Sequence, residues 1–288
     1  MKLVHGPWEA VLAPACGGGI AALRRGGADI LRPSAKGAEE TDPLALACFP
    51  MAPWVNRIAD GRFTFDGTAV ALPGEQIAGQ PHALHGEAWQ APWAVLGTTP
   101  NSATLLFEGG SGAFPFPYRV TQTLALHDDD ARLALVLENI GDRAMPAAIG
   151  LHPFFDGLED VLIEAEAAHV WLTREDLIPT ERMVVPEAWW FREPTALAGL
   201  GLDHAFDGWP GRVRLTWPGR GIALDLVSPE ARFLQIYAPL KGRTFCVEPQ
   251  TAVPDAVNRA EPASVTGLRI LQPGQSLTLT MTLAPAAR

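Results

Sequence analysis

The fold class is decided by residues 124–137, Leu124-Ala125-Leu126-His127-Asp128-Asp129-Asp130-Ala131-Arg132-Leu133-Ala134-Leu135-Val136-Leu137. Successive side chains of a β-strand point to opposite faces, so the leucines before the aspartates share one face, and so do the leucines after them. The run of aspartates between the two alternating segments is typical of a turn. The stretch therefore predicts two antiparallel strands joined by a short polar turn.

The same alternation recurs along the chain, whereas helical periodicity is almost absent. The run from Phe63 to Phe65 leads into Asp66-Gly67, a dipeptide typical of a hairpin turn, and the run from Val70 to Leu72 resumes the alternation. Further alternating runs are Val213–Trp217, Ile222–Leu226 and Leu277–Leu283. Repeated hairpins with frequent Gly and Pro predict an all-β fold, a large antiparallel β-sandwich.

Length and composition favour one domain over residues 1–288. The chain is long enough for two average domains, but all-β sandwiches often reach this length as one unit. Its Pro and Gly residues are spread along the chain and mark no linker, and a hydrophobic content of 48% is ample for one large core.

Charge and hydropathy exclude several classes of protein. The formal net charge of −10, with basic residues scattered among acids, argues against a nucleic-acid partner. The N-terminal residues have no apolar run of signal-peptide length, and nothing approaches the roughly 18 apolar residues of a membrane span. The three cysteines are far apart, which is typical of reduced thiols. We therefore predict a cytoplasmic protein without a membrane partner.

Four segments carry polar residues beside apolar, strand-like runs. They are Asn56–Phe63, Ala83–Gly86, Gly150–Phe155 and Val247–Asn258. The last sets Glu248 at the end of an apolar run, and the others supply a cation, Arg57, and two imidazoles, His85 and His152. A loop on a rigid scaffold is a common place for a functional residue.

The order of these segments, with Leu202–Phe206 between the third and the fourth, resembles the aldose 1-epimerases, also called mutarotases. The resemblance runs from about residue 10 to the C-terminus. It implies the galactose mutarotase-like supersandwich fold. It also implies interconversion of the α and β anomers of a free monosaccharide by acid/base ring opening and reclosure, without a cofactor.

The resemblance implies roles for individual residues. Glu248 matches the general base that takes the C1 hydroxyl proton, and His152 matches the general acid that protonates the ring oxygen. His85, Arg57 and Asp203 match residues that hold the sugar. We expect a neighbouring carboxylate to keep His152 protonated.

Strand geometry adds further candidates. Gln250 and Cys246 lie two residues from Glu248, so both side chains should share its face, Gln250 as a further substrate contact and Cys246 as a small apolar neighbour. Trp54 and Phe154 are candidate walls of the sugar pocket.

No metal or cofactor site is predicted. His82 and His85 are three residues apart but lack a third ligand at zinc-type spacing. The glycines at 17–19 lack the spacing, the following helix and the downstream acid of a dinucleotide site.

The sugar and its charge remain open at this stage. Leu151 and Pro153, which flank His152, depart from the pattern of the galactose-type enzymes. One alternative is an epimerase for a phosphorylated or sulfonated hexose, for which Arg62, Lys241 or Arg243 would supply the cation. A second is a non-catalytic sugar-binding module on the same fold. A glycoside hydrolase is disfavoured because it needs two opposed carboxylates. Oligomeric state cannot be predicted.

Overall fold

The computed structural model describes residues 1–74 and 79–286, and its regular structure is almost entirely β-strand. The strands are β1 (Lys2–His5), β2 (Trp8–Ala13), β3 (Gly19–Arg25), β4 (Ala28–Asp29), β5 (Cys48–Met51), β6 (Arg57–Ile58), β7 (Arg62–Phe65), β8 (Thr68–Ala71), β9 (Ala83–Leu84), β10 (Ala94–Thr98), β11 (Ser102–Gly109), β12 (Tyr118–Leu126), β13 (Ala131–Asn139), β14 (Met145–Ala147), β15 (Gly150–Asp156), β16 (Leu162–Ala165), β17 (His169–Thr173), β18 (Pro179–Val184), β19 (Thr195–Ala196), β20 (Leu202–Asp207), β21 (Arg212–Trp217), β22 (Ile222–Val227), β23 (Phe233–Ala238), β24 (Thr244–Gln250), β25 (Arg269–Leu271) and β26 (Ser276–Pro285).

Helical structure in the described residues is limited to short turns. One four-residue α-helix, α1, spans Ala263–Thr266. Seven 3-10 turns span Gly37–Glu39, Pro43–Ala45, Ala59–Gly61, Ala88–Gln90, Glu187–Trp189, Pro218–Arg220 and Ala256–Asn258. None of the helices in the described ranges has the length and apolar composition needed to cross a membrane.

Two large antiparallel sheets form the body of the molecule. The first has eleven strands in the order β1-β2-β3-β5-β15-β24-β23-β20-β17-β18, with β4 beside β3. The second has nine strands in the order β10-β11-β12-β13-β26-β22-β21-β16-β19. Two-stranded sheets are formed by β14 with β25, β6 with β9, and β7 with β8. The prediction of a large antiparallel β-sandwich is confirmed.

The hairpins predicted from the sequence are present. β12 pairs with β13 from Leu126 opposite Ala131 onward, so the aspartate-rich segment is the turn. β7 pairs with β8, with Phe63 opposite Val70, and β21 pairs with β22. Successive side chains of β12 are alternately buried and half-buried, as the leucine pattern predicted.

The main hydrophobic core contains side chains from both large sheets. Trp8 and Phe206 belong to the eleven-stranded sheet, and Leu135, Leu226 and Met281 belong to the nine-stranded sheet. Burial of each large apolar side chain contributes about 1.5–3 kcal/mol relative to exposure. Alternate residues of the central strands of the first sheet face this core, which leaves the residues between them on the opposite face of the sheet.

That opposite face carries a second, smaller cluster. Phe49 and Trp171 are buried in it, as are Phe154, Phe233 and Cys246. Short segments around β6 and β9 contribute Val55 and Leu84 to the same cluster. This placement sets a rigid sheet on one side of the candidate site and loop segments on the other.

Candidate functional site

Neighbouring strands in the middle of the eleven-stranded sheet position the sheet side of the site. β15 pairs with β24, with Gly150 opposite Gln250 and Phe154 opposite Cys246. His152 and Glu248 lie midway between these pairs and therefore face each other across the two strands. The distance from His152 Nε2 to Glu248 Oε1 is 3.4 Å.

The same face continues across the next two strands. β23 places Gln235 opposite Glu248 and Tyr237 opposite Cys246. β20 places Asp203 opposite Tyr237. His204, the next residue, points to the other face, as predicted, where Thr173 Oγ1 contacts its Nδ1 at 3.1 Å and Trp189 packs against its ring.

The loop side of the site is a two-stranded sheet in which Arg57 pairs with Leu84. Asn56 and His85 flank this pair, and both have left-handed backbones, with φ of 50° and 58°. His85 N donates to Asn56 O at 2.8 Å, which closes the connection. Gly86 follows with φ of 88°, and a Cβ at this position would collide with the carbonyl of Ala52. The Leu-His-Gly sequence therefore holds His85 in place by backbone geometry.

These two sides line an open cavity, whose empty volume is about 810 Å³ when the solvent at its mouth is included. Five of the six predicted site residues line it, namely Arg57, His85, His152, Asp203 and Glu248. The other lining residues are Leu44, Asn56, Gln80, Leu84, Phe154, Leu177, Tyr237 and Cys246. The sequence-predicted set is thus brought together from five separate segments of the chain.

Gln250, the sixth predicted residue, does not line the cavity. It is fully buried, and its Nε2 donates to Glu248 Oε2 at 3.0 Å. Gln235 makes the matching contact on the neighbouring carboxylate, because its Nε2 donates to Asp203 Oδ1 at 2.6 Å. Gln250 therefore contacts the Glu248 carboxyl group and not the cavity, and its role as a substrate contact stays a prediction.

Arg57 is held by two amide side chains. Its Nη1 donates to Asn56 Oδ1 and its Nε donates to Gln80 Oε1, each at 3.0 Å. Arg57 is also only 8% exposed, so its planar fork has a fixed orientation at the cavity wall.

Aromatic rings fix the two imidazoles. His152 stacks on Phe154 with ring centroids 4.5 Å apart and contacts Phe49 at 4.6 Å. His85 meets the His152 ring edge-on at 5.0 Å and Trp89 at 5.5 Å. Both imidazoles thus lie against apolar surfaces.

Burial raises the pKa values of the carboxyl groups in the cavity and lowers those of the imidazoles. It raises the pKa of Glu248 well above its ordinary value, and the nearby carboxylate of Asp203 adds to this rise. Burial also raises the pKa of Asp203, although Arg57 opposes that effect. These surroundings therefore favour the protonated form of the Glu248 carboxyl group.

The predicted protonation of His152 is wrong. Burial lowers its pKa to about 3, and the positive charges of Arg32 and Arg57 act in the same direction. Burial likewise lowers the pKa of His85 well below its ordinary value. The neighbouring carboxylate does not keep His152 charged, because desolvation is the larger effect.

Two further predictions about the pocket wall are resolved. Phe154 lines the cavity, but Trp54 does not, because it packs against Phe114 in another part of the fold. None of the three cations proposed for an anionic sugar lines the cavity. Arg243 instead pairs with Glu159 on the surface, at 3.1 Å.

Sequence reasoning did not single out Asn56, Gln80 or Tyr237 as site residues. Asn56 was detectable, since it adjoins Arg57 and Asn is among the residues that tolerate a left-handed backbone. Gln80 and Tyr237 carried no local signal, because only the folded chain brings them to the cavity.

Cys246 shares the cavity face with Glu248, as predicted. It is 1% exposed, and burial raises the pKa of its thiol well above the ordinary value. Among the described residues, the cluster of His, Cys, Asp or Glu side chains able to hold a metal ion is His152, Cys246 and Glu248, whose ligand atoms all lie within 4.8 Å of one another.

Comparisons with known proteins agree with this geometry. The family model described as "Aldose 1-epimerase" matches residues 3–284. YphB of Escherichia coli K12, an uncharacterised protein, is 32% identical over 276 residues, which is 93% of this chain and 92% of that protein. A crystal structure of a candidate aldose 1-epimerase from the same organism has a TM-score of 0.89 at 29% identity, covering 99% of this chain and 98% of the other.

A second solved structure bears on the fold alone. A galactose mutarotase-like protein from Clostridium acetobutylicum has a TM-score of 0.90 at 18% identity, with 100% of this chain and 95% of the other covered. The predicted galactose mutarotase-like fold is therefore confirmed.

Proposed function

Because this chain belongs to the aldose 1-epimerase family, we propose that it interconverts the α and β anomers of a free monosaccharide by acid/base chemistry, without a cofactor. One observation carries the proposal. Glu248 Oε1 and His152 Nε2 face each other at 3.4 Å on the wall of the cavity. Two proton-transfer groups are what ring opening requires.

The proposed reaction begins with two proton transfers. Glu248 takes the proton of the C1 hydroxyl group while His152 gives a proton to the ring oxygen, and the bond from C1 to the ring oxygen breaks. The C1–C2 bond of the open aldehyde then rotates. The reverse transfers close the ring on the other face of the carbonyl, so both residues return to their initial states.

The protonation states that burial favours for Glu248 and His152 are compatible with these roles. A carboxylic acid beside a neutral imidazole holds one transferable proton, as does a carboxylate beside an imidazolium. Sugar binding therefore has to move only that proton, from Glu248 Oε1 to His152 Nε2. The donor from Gln250 stabilises the carboxylate form once it is present.

Arg57, His85 and Asp203 are proposed to hold the sugar. Arg57 presents fixed donors, and Asp203 accepts from hydroxyl groups. The ring of Phe154 offers an apolar surface against which the sugar can pack. These side chains orient the substrate without adding or removing protons.

The charges of the cavity favour a neutral sugar. Among the described lining residues, Arg57 is the basic side chain apart from the two buried imidazoles, whereas Glu248 and Asp203 are both acids. Arg57 is already engaged by Asn56 and Gln80. An anionic group on the sugar would therefore meet one guanidinium group against two carboxyl groups.

Polarimetry tests this proposal. Freshly dissolved α-D-glucose, α-D-galactose and D-glucuronate would be followed with the wild type, Glu248→Gln and His152→Ala. We expect faster mutarotation of a neutral sugar, and a loss of about 10²–10⁴-fold in either variant, or about 3–5.5 kcal/mol. Glu39→Gln and His127→Ala change exposed residues of the same types and serve as matched controls.

The outcomes separate the alternatives. Acceleration of glucuronate alone would favour the epimerase for anionic hexoses. Sugar binding without acceleration of any sugar would favour the non-catalytic binding module. Full activity in both variants would overturn the assigned roles. A cytoplasmic location stays a prediction.

A further inference from the structure

Three side chains on the cavity wall are good metal ligands of different kinds. His152 lies on β15, and Cys246 and Glu248 lie on β24. All three are nearly fully buried, at 8%, 1% and 2% exposure. The imidazole nitrogen, the sulfur and a carboxylate oxygen all lie within 4.8 Å of one another.

The backbone of the sheet produces this grouping. Cys246 and Glu248 are two residues apart on one strand, so both side chains point to the cavity face. His152 faces Glu248 from the paired strand, at 3.4 Å. The cluster therefore rests on the centre of a rigid sheet.

The spacing is close to that of a tetrahedral zinc site. Zinc bonds of about 2.0–2.3 Å place neighbouring ligand atoms about 3.3–3.6 Å apart. The contact between His152 and Glu248 is already within this range. The sulfur lies within 4.8 Å of the other two ligand atoms, so it has to move by about 1 Å to reach this spacing.

The surroundings of the cluster support ligation. Gln250 Nε2 donates a hydrogen bond to Glu248 Oε2, and the other oxygen, Oε1, faces His152 Nε2. A hydrogen bond of this kind on a ligating carboxylate is a common feature of metal sites. The nitrogen of His152 that faces Glu248 is Nε2, one of the two imidazole atoms that can bind a metal ion. A thiol and an imidazole together select zinc and related ions over magnesium or calcium.

We propose that a thiophilic divalent cation, Zn²⁺ above all, binds to His152, Cys246 and Glu248 and excludes the sugar reaction while it is bound. Ligation would occupy both proton-transfer atoms, Oε1 and Nε2. The inhibitory part rests on the proposed function, whereas the binding part does not. Cys246 thereby becomes a ligand, in addition to the small cavity neighbour predicted from sequence.

Cobalt(II) is the probe that tests the site, since it replaces zinc and its spectrum reports the ligands. Full-length protein treated with a chelator would be titrated with Co²⁺. We expect the visible bands of a tetrahedral ion and a near-ultraviolet charge-transfer band from the thiolate, both abolished by one equivalent of Zn²⁺. Mg²⁺ should not displace the cobalt.

Variants identify the ligands. Cys246→Ser should remove the charge-transfer band. His152→Ala should weaken Co²⁺ binding by at least about 100-fold. Loss of a residue that only hydrogen-bonds to a metal-ligating side chain costs about 10–100-fold. Cys16→Ala changes a buried thiol in a separate cluster and should leave the spectrum unchanged. Thermal melts would establish that each variant is folded.

The results distinguish this proposal from the proposed function. The metal site would be overturned if the wild type showed no charge-transfer band, or if the Cys246→Ser variant kept the band. Either result would hold whether or not the protein is an epimerase. If the wild type accelerates mutarotation, Zn²⁺ should inhibit it in competition with sugar, and inhibition that Cys246→Ser leaves unchanged would also contradict the proposal. A cobalt spectrum without epimerase activity would overturn only the proposed function.

Discussion

Glu40 and Glu248 are two buried glutamates with opposite electrostatic settings. Glu40 is 4% exposed and accepts hydrogen bonds from Ser34 Oγ and from the backbone N–H groups of Thr41 and Asp42. Lys36 adds a contact at 3.4 Å. Glu248 is 2% exposed and accepts one side-chain hydrogen bond, from Gln250, with a histidine and a cavity on its other side.

The pKa values of the two carboxyl groups differ accordingly. The donors around Glu40, led by Ser34, lower its pKa to about 2. Desolvation, with the charge of Asp203, raises the pKa of Glu248 well above its ordinary value. Glu40 meets four hydrogen-bond donors whereas Glu248 meets one, and hydrogen bonds to the charged form lower the pKa of a carboxyl group. Glu40 has its hydrogen-bonding capacity filled by the loop, whereas Glu248 keeps one oxygen free for chemistry.

The largest expected difference between the two glutamates is in the rate of catalysis when each is substituted by glutamine in turn. Glu248→Gln is expected to lower the enzyme-dependent rate of mutarotation by about 10²–10⁴-fold, because the amide cannot accept the C1 proton. Glu40→Gln should leave that rate within about threefold of the wild type, since Glu40 lies outside the cavity lining. Initial rates by polarimetry check both, and equal losses would contradict the contrast.

The stability of the Glu40 loop should depend on pH. The pKa of Glu40 is lower in the folded chain than the ordinary 4.5, so its contribution is present above pH 4.5 and is lost as pH falls through about 2. Glu40→Gln should therefore lower the melting temperature at pH 7, with a difference from the wild type that shrinks toward pH 2. Calorimetry across this range is the measurement. A difference that stayed constant with pH would point to packing as the cause.

Glu248 should show the opposite effect on stability. Its pKa is raised in the folded chain, so the folded state loses stability relative to the unfolded state as pH rises above the ordinary value of 4.5. Glu248→Gln should thus stabilise the protein at neutral pH by about 1–3 kcal/mol, the scale of a poorly satisfied buried polar group. Chemical denaturation at pH 5 and pH 8 should show that the free energy of unfolding gained by Glu248→Gln grows with pH. If the variant were less stable than the wild type at pH 8, this would contradict the raised pKa of Glu248 in the folded chain.

The smallest effect is expected at Gln250. Gln250→Met keeps the buried volume but removes the donor to Glu248 Oε2. We expect kcat to fall about three- to tenfold while KM stays near the wild-type value, on the scale of about 0.5–1.5 kcal/mol for one hydrogen bond. Gln235→Met is the matched control, because it removes the donor to Asp203 and should instead raise KM. A change in KM alone for Gln250→Met would return this residue to its predicted role as a substrate contact.

The sequence identified one of these glutamates and not the other. Glu248 stands at the end of an alternating apolar run and belongs to an ordered set of segments, so both its strand and its cavity face were predictable. Glu40 follows Glu39, and nothing in the residue types distinguishes the buried side chain from the exposed one. Its donors arise from a loop conformation that leaves no periodic signal.

The other successes and failures of the sequence-based predictions have similar physical causes. The hairpins were predictable because strand alternation and turn residues are local properties, as at Asp66-Gly67. Trp54 was placed on the wrong surface because its contacts depend on how a loop packs against Phe114. The neutral state of His152 depends on its depth of burial, which only the folded chain defines.

The central claim is that the pair of Glu248 and His152 transfers protons to and from a sugar. Exchange spectroscopy by NMR measures this directly, from the rate at which the C1 protons of the two anomers interconvert at equilibrium. The account predicts exchange well above the uncatalysed rate with the wild type, and exchange at nearly the uncatalysed rate with Glu248→Gln or His152→Ala, although both variants still bind the sugar. Catalysed exchange that survives in both variants would contradict it.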